Sequence, residues 1–576
     1  MDDRGHTGEL KVAIIGAGFS GLSVAHYIRK YLGLQSFVIY EKSEFTNGGA
    51  GTWKDNTYPG CACDVPIHLY QLSWARQADW TEYLPLQPEI QEYLNKTAKD
   101  HGFVRHIQFG TELLEARWID AESVWELKLR NVLARDPENA VYSVKHNVLI
   151  MCTGPLSQPK LPANVNVETY QGEQFHSQQW RSDISLENKR VAVVGNGCSA
   201  TQFMPIIARR TKQLTQYVSS PQWYVPRDNP LYSDSARFFF RHVPGLEYLY
   251  RLSLAYAWEK EAYKLKAGDG PAKVRSTVEG FLLQYMKATA PAKYHENLTP
   301  KYPLGCKRLV FDSNYFAGLH ADNVDLAFTR VSGLHENGII GQDGSKRDFD
   351  VIIWATGFTA TMPFQSSKIY SRGGKEIHSL WEKRGAPSAY KGMMYPDFPN
   401  FFMTTGPNTL SGHYSVTTII EIQAQYIAQV LKSQLDNHVK SFEVTKGAHD
   451  EYNQWIRDRM KGRVWTSSLC NSWFKTKDGL IPTNFPGTTT TYWKKTFYPN
   501  FHHFRQVGGT KTVHGTSIQK EVIKMVLKTV VILSLLCYLG KRRSSIQAYT
   551  GLGLQQLQSF LQDSLSTVKS VLVHIS

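Results

Sequence analysis

Short apolar runs alternate with glycine-rich turns and amphipathic stretches along most of the chain. Residues 10–15 form an apolar run after a polar start, the pattern of a buried strand. Residues 22–31 read as a helix, and 38–40 as a second strand that ends at Glu41. The same order returns at 190–194, 201–210 and 214–218, with Ser219 and Ser220 closing the last strand. Between these two units, 89–101 reads as a helix, and 118–130 and 141–151 as strands of a small antiparallel sheet. Residues 232–293 have helical periodicity and many aromatics: Phe238, Phe239, Phe240, Tyr248, Tyr250, Tyr256 and Trp258. They predict a helical insertion, about 231–300, whose aromatics are mostly core. Beyond it, 324–328, 350–354 and 401–406 read as strands and 419–432 as a helix. Two strands run into a Thr-Gly turn, at Cys152-Thr153-Gly154 and at Ala355-Thr356-Gly357-Phe358. The alternation predicts an α/β fold with two Rossmann-like dinucleotide-binding domains. The expected parts are 1–155 and 351–507 for the first domain, 156–350 for the second, and a tail at 508–576.

A chain of 576 residues has room for three or four domains, or for two large interleaved ones. Hydrophobic residues make up 42% and charged residues 20%, which leaves ample material for a core. The net charge of +15 favours anionic partners. No zinc finger, basic zipper or long basic run marks the body of the chain, so nucleic acid is not the expected partner. Nucleotide cofactors and an anionic membrane face would use the charge. Seven cysteines do not make a disulfide framework, and Cys61, Cys63, Cys152, Cys198, Cys306, Cys470 and Cys537 are expected as thiols in a reducing compartment. The polar start, residues 1–11, shows no signal peptide.

The tail carries an apolar stretch at 522–540, interrupted by Lys524 and Lys528 and followed by Lys541, Arg542 and Arg543. Its uninterrupted part would be about 18 Å long as a helix, short of the roughly 20 residues of a span. A spanning anchor, an interfacial anchor and a helix packed on a core or partner all remain open. An anchored chain would be intracellular, with the anchor facing the cytoplasm.

Two glycine loops carry the chemistry. Gly16-x-Gly18-x-x-Gly21 follows a strand and opens a helix, and Glu41 stands roughly 25 residues on, where an acid holds ribose hydroxyls. Gly195-x-Gly197-x-x-Ala200 repeats the arrangement. No acid ends the strand after it, which leans towards a 2′-phosphorylated nicotinamide cofactor. Arg209, Arg210, Lys212 and Arg227 lie nearby in sequence and could reach that phosphate. Residues 48–60 form a glycine- and aromatic-rich loop with Thr52, Trp53, Asn56 and Tyr58, and Asp64 follows. Such a loop on a rigid scaffold suits function. The stretch from Tyr170 to Trp180 lies between the two loops and could sense both sites.

These motifs resemble those of flavin-dependent Baeyer–Villiger monooxygenases, most closely the fungal branch of secondary metabolism. Gly16-Ala17-Gly18-Phe19-Ser20-Gly21 is similar to the family's FAD loop, and Gly195 through Ala200 to its NADPH loop. Tyr170-x-Gly172-x-x-x-His176-x-x-x-Trp180 is similar to its fingerprint, with Tyr in place of Phe. Ala355 through Phe358 resembles its second flavin contact. Lys307-Arg308 falls where the family keeps its catalytic arginine. Ser219 stands where relatives usually carry an arginine for the 2′-phosphate, which leaves NADPH against NADH open, Arg181 follows Trp180 where Pro or Asp is preferred, and Thr57 stands where many members have Arg.

The resemblance implies that NADPH reduces FAD, that reduced flavin activates O2, and that one oxygen enters a ketone to give an ester or lactone. It implies Arg308 as catalytic, Asp64 as its orienting partner and Lys307 as a contact of the nicotinamide cofactor's 2′-phosphate. Cofactor-binding residues are expected at Gly16, Gly18, Gly21, Glu41, Thr52, Trp53, Lys54, Asp55, Ala62, Cys63, Asp64, Tyr70, Leu113 and Val416. They are also expected at Asn196, Gly197, Cys198, Ser199, Ala200, Thr201, Gln202, Ser219, Ser220 and Lys307. Asn408 is a further active-site candidate, and the insertion together with the loops around Asn408 is expected to shape the substrate pocket. The stretch to Trp180 is expected to act as a hinge. Competing readings are an N- or heteroatom-hydroxylating flavin monooxygenase, a thiol–disulfide flavoprotein using Cys61 and Cys63, and a membrane-anchored scaffold without turnover.

Overall fold

The apolar run Val12–Ile15 is buried at every position and lies in the middle of a parallel sheet. Its side chains alternate between two cores, as strand geometry requires. Val12 and Ile14 enter the largest hydrophobic cluster, and Ala13 and Ile15 enter a second one behind the sheet. The structure is a computed structural model that describes residues 10–44, 48–136, 140–163, 165–514 and Leu527.

The fold is mixed α/β. Among the described residues, the first parallel sheet runs Phe401–Met403, Val148–Met151, Val12–Ile15, Phe37–Tyr40 and Ile107–Gln108. Helices Phe19–Leu32 and Val416–Asp436 pack together on one face. On the other lies a smaller sheet of Lys368–Tyr370, Thr111–Ile119, Val124–Asn131 and Val141–His146. The second parallel sheet runs Val324–Ala327, Gln213–Tyr217, Arg190–Val194, Val351–Trp354 and Glu173–His176. Val191 and Val193 join the largest cluster too, while Ala192 and Val194 face a third, so one core runs under both parallel sheets.

Several expectations need correction. The stretch 118–130 is two strands, because the chain turns at Ser123, whose φ is +53°. The stretch 141–151 is also two strands, in different sheets. Asn147 divides them, exchanging hydrogen bonds with the Lys11 backbone. Val351–Trp354 pairs with Arg190–Val194, so the chain leaves the second sheet after Trp354, not at 350.

The helical insertion contains Asp234–His242, Leu246–Lys260 and Asp269–Thr289. Its aromatics divide. Phe240 and Tyr250 gather around buried His68, whereas Phe238 and Phe239 are 54% and 51% exposed. Helix Asp234–His242 lies on the surface with no buried residue, which is why these two phenylalanines are not core.

Cys306 and Cys470 are not free thiols. The fold brings their Cα atoms to 5.4 Å and they form a disulfide across a separation of 164 residues. Cys61, Cys63, Cys152 and Cys198 are free. The apolar stretch 522–540 and Cys537 lie outside the described residues. Among the described residues, no helix is long and apolar enough to cross a membrane.

Candidate active site

Tight backbone contacts build the first cleft. Gly16 has φ +106°, and a Cβ there would stand 2.7 Å from the Cys152 carbonyl oxygen. A Cβ on Gly21 would stand 1.9 Å from the Gly16 carbonyl oxygen, so helix Phe19–Leu32 closes on the loop only without a side chain at that position. Gly18 caps the helix and borders a cavity of about 180 Å3 with Glu41, Thr52, Trp53, Asp55, Leu113 and Val416. Glu41 is buried. Its Oε2 accepts from the Ala17 amide at 2.8 Å and its Oε1 from the Ser43 amide at 2.9 Å. Trp53 Nε1 donates to the Tyr70 hydroxyl at 3.1 Å. Burial pushes the Asp55 carboxyl above its usual range, and Lys42 opposes the shift.

The second loop repeats the design. Gly195 has φ +113°, and a Cβ there would stand 2.4 Å from the Ala355 carbonyl oxygen. Gly197 caps helix Cys198–Ile207, and a Cβ there would meet nothing within 4 Å. Its backbone therefore stands open to a cavity of about 650 Å3, which Asn196, Cys198, Ser199, Gln202 and Ser219 also line. Asn196 Nδ2 donates to the Ser220 carbonyl at 3.0 Å and ties the glycine loop to the end of the next strand.

The two clefts share a wall of Thr52, Trp53, Tyr70 and Val416. Gln202 spans the two halves. Its Oε1 accepts from the Tyr58 hydroxyl at 3.0 Å, and its Nε2 donates to the Ala62 carbonyl at 3.1 Å. Gly60, with φ +77°, admits this approach, because a Cβ there would stand 2.8 Å from the Gln202 carbonyl oxygen.

Arg308 and Asp64 line the same cavity in direct contact. Arg308 Nε donates to Asp64 Oδ2 at 2.9 Å, and Nη2 lies 2.6 Å from Oδ1. The Arg308 side chain keeps 38% of its surface exposed. The Asp64 charge raises the guanidinium pKa further, against the effect of burial. Cys198 and Cys63 lie beside the pair, and burial pushes the Cys198 thiol up to about 11 and the Cys63 thiol higher still. Both are therefore protonated at neutral pH. Lys307 Nζ donates to the Ser220 hydroxyl at 2.6 Å and sits 4.5 Å from the Tyr302 ring centre. Burial lowers its pKa to about 8, with the Arg330 charge adding to the shift.

The flavin-binding monooxygenase-like family model matches residues 9–231. The FAD-binding monooxygenase ktnD of Aspergillus niger is 33% identical over 491 residues, covering 84% of this chain and 79% of that protein. A Baeyer–Villiger monooxygenase of Pseudomonas aeruginosa is 34% identical over 481 residues, covering 83% and 88%. The chain belongs to the flavin-dependent Baeyer–Villiger monooxygenase family. The solved structure of OTEMO in complex with FAD and NADP has 25% identity and a TM-score of 0.74, covering 87% of this chain and 100% of that one. An oxidized steroid monooxygenase bound to NADP has 25% identity and a TM-score of 0.73, covering 87% and 99%.

Against this family background, some expected contacts sit elsewhere. Lys54 is exposed and lines neither cleft, and Ala200 and Thr201 are fully buried. Thr201 Oγ1 donates to the Gly197 carbonyl, so it braces the loop. Ala355 through Phe358 lines the larger cavity beside Gly195, not the first cleft. It follows a strand of the second sheet and so stands beside the second glycine loop rather than the first. The first cleft is bordered instead by Thr153, Gly154 and Thr405, which follow strands of its own sheet. Asn408 is buried, and its Nδ2 donates to the Ile481 and Asn484 carbonyls. It braces a loop, while Leu410, Gly412 and Tyr414 beyond it line the cavity. No residue of the insertion lines that cavity, so the insertion does not shape it directly.

Arg209, Arg210 and Lys212 precede strand Gln213–Tyr217 and sit at its amino end, whereas Ser219 follows its carboxyl end. Arg227 donates to the Leu84 carbonyl. None of the four lines the cavity. Arg330, which no motif marks, does line it, beside Arg308. Trp473 borders the same space from a loop of the returning chain.

The stretch ending at Trp180 forms the edge strand Glu173–His176, paired with Val351–Trp354. His176 is buried, its Nδ1 accepts from the Gln178 amide, and burial lowers its pKa to about 4. It is therefore neutral at physiological pH. Gln178, overlooked in the sequence, makes the link to the first cleft. Its Nε2 lies 3.4 Å from Asp55 Oδ2 and 3.3 Å from the Ser157 carbonyl.

Proposed function

We propose that the protein is an FAD- and NADPH-dependent monooxygenase that inserts one oxygen atom from O2 beside the carbonyl of a ketone, giving an ester or lactone. The observation that carries this reading is the Arg308–Asp64 fork at the meeting point of two glycine-loop clefts. Gly16 and Gly21 have no room for a side chain, and the turn they build leaves the Gly16 and Gly18 backbone bordering the cleft, which fits FAD. The open space at Gly197 fits NADPH in the second. Both parallel sheets then act as Rossmann-like domains. Bound FAD would supply hydride acceptance and O2 activation, chemistry that no side chain offers.

The residues around it hold charge and exclude water. Arg308 is always protonated and spends two of its five N–H donors on Asp64, which leaves the others for an oxygen that gains negative charge. Asp64 fixes the fork in place by charge-assisted hydrogen bonds. Glu41 is positioned for ribose hydroxyls, and Trp53 with Tyr70 forms the wall between the clefts. A role in secondary metabolism rests on the resemblance to the family's fungal branch.

The proposal extends to the tail, where the apolar stretch 522–540 and the basic cluster after it support a membrane anchor.

Product analysis under 18O2 tests the reaction. Purified protein fed NADPH and a panel of ketones should yield esters or lactones carrying one labelled oxygen. N-oxides alone, or NADPH consumption with hydrogen peroxide as the sole product, would overturn it.

A further inference from the structure

The cavity between the second glycine loop and the Arg308 turn has a one-sided charge. It encloses about 340 Å3, and Lys307, Arg308 and Arg330 line it with Ser219, Ser220 and Trp473. No carboxylate lines it among the described residues. Arg308 is neutralised by Asp64, but Lys307 and Arg330 make no ion pair there among the described residues.

Strand order explains why these groups meet. Gln213–Tyr217 and Val324–Ala327 are adjacent parallel strands, and Val218 N donates to the Ala327 carbonyl at 2.9 Å. Ser219 and Arg330 therefore leave the same, carboxyl edge of the sheet, side by side. In a nucleotide-binding βαβ unit, the pyrophosphate lies at the helix that follows the first strand, and the end of the second strand meets the ribose 2′ position. Here that end carries two serines, which can accept or donate hydrogen bonds but bring no charge. The next strand out supplies an arginine, and the turn before Arg308 supplies a lysine.

We infer that Arg330 is a specificity-determining residue that completes the subsite for the 2′-phosphate of NADPH, beside the Lys307 that the family resemblance already implies there. This rests on the reading that the second cleft takes a nicotinamide dinucleotide. A planar guanidinium suits a phosphate better than an ammonium, because it can donate two parallel hydrogen bonds. The two groups approach the site from different elements, so one phosphate can be held from both sides. Ser220, held by Lys307, keeps the lysine aimed into the cavity.

The test uses full-length holoenzyme as wild type, Arg330→Ala, Arg330→Glu and Arg330→Lys. Calorimetric titration with 2′,5′-ADP and with 5′-AMP separates the phosphate from the rest of the nucleotide. Arg330→Ala should weaken 2′,5′-ADP binding by about tenfold or more and leave 5′-AMP unchanged, with Arg330→Glu weaker still and Arg330→Lys partly restored. In flavin-reduction kinetics, KM for NADPH should rise while kcat and KM for NADH stay constant. Equal losses for both nucleotides would mark a structural role and overturn the assignment. So would wild-type 2′,5′-ADP affinity in the Ala and Glu variants, or a wild-type enzyme that binds 2′,5′-ADP no better than 5′-AMP. Intact discrimination without ketone oxygenation supports the Arg330 assignment and sinks the proposed reaction instead.

Discussion

Asp64 and Arg308, 244 residues apart in sequence, meet in a two-point fork that joins the loop of the first cleft to a turn of the second. The fork depends on planar geometry. Replacing Arg308 by Lys keeps the charge but loses the parallel pair of donors, so it should not behave as a conservative change. Arg308→Ala should still allow NADPH to reduce the flavin, while ester formation falls by roughly a hundredfold or more, the scale of a lost oxyanion donor. Arg308→Lys should recover only a small part. Stopped-flow flavin reduction, measured beside product yield, separates the two steps. Ester formation at the wild-type rate in Arg308→Ala would remove the arginine from the mechanism.

Lys307 predicts a pH dependence specific to one cofactor. Its ammonium faces Arg308 and Arg330, lies against the Tyr302 ring, and has a pKa lowered to about 8 by burial first and the Arg330 charge second. A lowered lysine pKa means that the charged form is lost as pH rises through about 8. An anionic phosphate binds the charged form, so kcat/KM for NADPH, which reports the free enzyme, should fall above that pH. NADH lacks the phosphate and should show no such fall. Lys307→Arg should flatten the NADPH profile up to pH 9. The same decline in that variant would assign the titration to another group.

Much of the site was legible because its signals are local. A strand, a glycine loop and a helix follow one another within about 25 residues, and each glycine answers a nearby contact, such as Gly21 against Gly16. The positions of Arg308 and Asp64 followed from the family resemblance. What stayed hidden depends on which strands become neighbours. The Thr-Gly turn after Trp354 matches the one after Met151, yet its strand pairs with Arg190–Val194 and carries the turn to the other cleft. Arg330 has no motif at all, and only the pairing of Val324–Ala327 with Gln213–Tyr217 puts it beside Ser219. The Cys306–Cys470 link likewise spans 164 residues and has no spacing signature.

The fold also says where the tail can be removed. Strand Phe504–Gly508 pairs with Val439–Val444, Thr510 N donates to the Asn437 carbonyl, and Val513 is buried. Truncation at Gly508 would cut into this packing, whereas truncation after residue 514 would spare it. The chain ending at 514 should therefore fold, bind flavin and keep its flavin-reduction rate within about twofold, since the strand pairing and the buried Val513 are kept. If the tail is a membrane anchor, the shortened protein should also move from the membrane to the soluble fraction on centrifugation. Unchanged fractionation would refute the anchor without touching the catalytic reading.

The disulfide joins the turn that carries Lys307 and Arg308 to the loop that carries Trp473. Another contact ties the returning chain to the same turn, since Trp465 Nε1 donates to the Gly305 carbonyl at 3.0 Å, and Lys475 Nζ braces the loop from within by donating to the Cys470 carbonyl at 3.0 Å. Breaking the bond should therefore loosen the loop without unfolding the protein. A cross-link over a separation this long is worth about 2–5 kcal/mol through the unfolded chain. Cys470→Ser should lower the melting temperature by several degrees, and dithiothreitol should do the same to wild type while exposing two further thiols. Because Trp473 borders the proposed cofactor subsite, KM for NADPH should rise in the variant while flavin content stays constant. A melting temperature and KM that do not respond, with the two extra thiols confirmed by titration, would mean that the remaining contacts hold the loop alone.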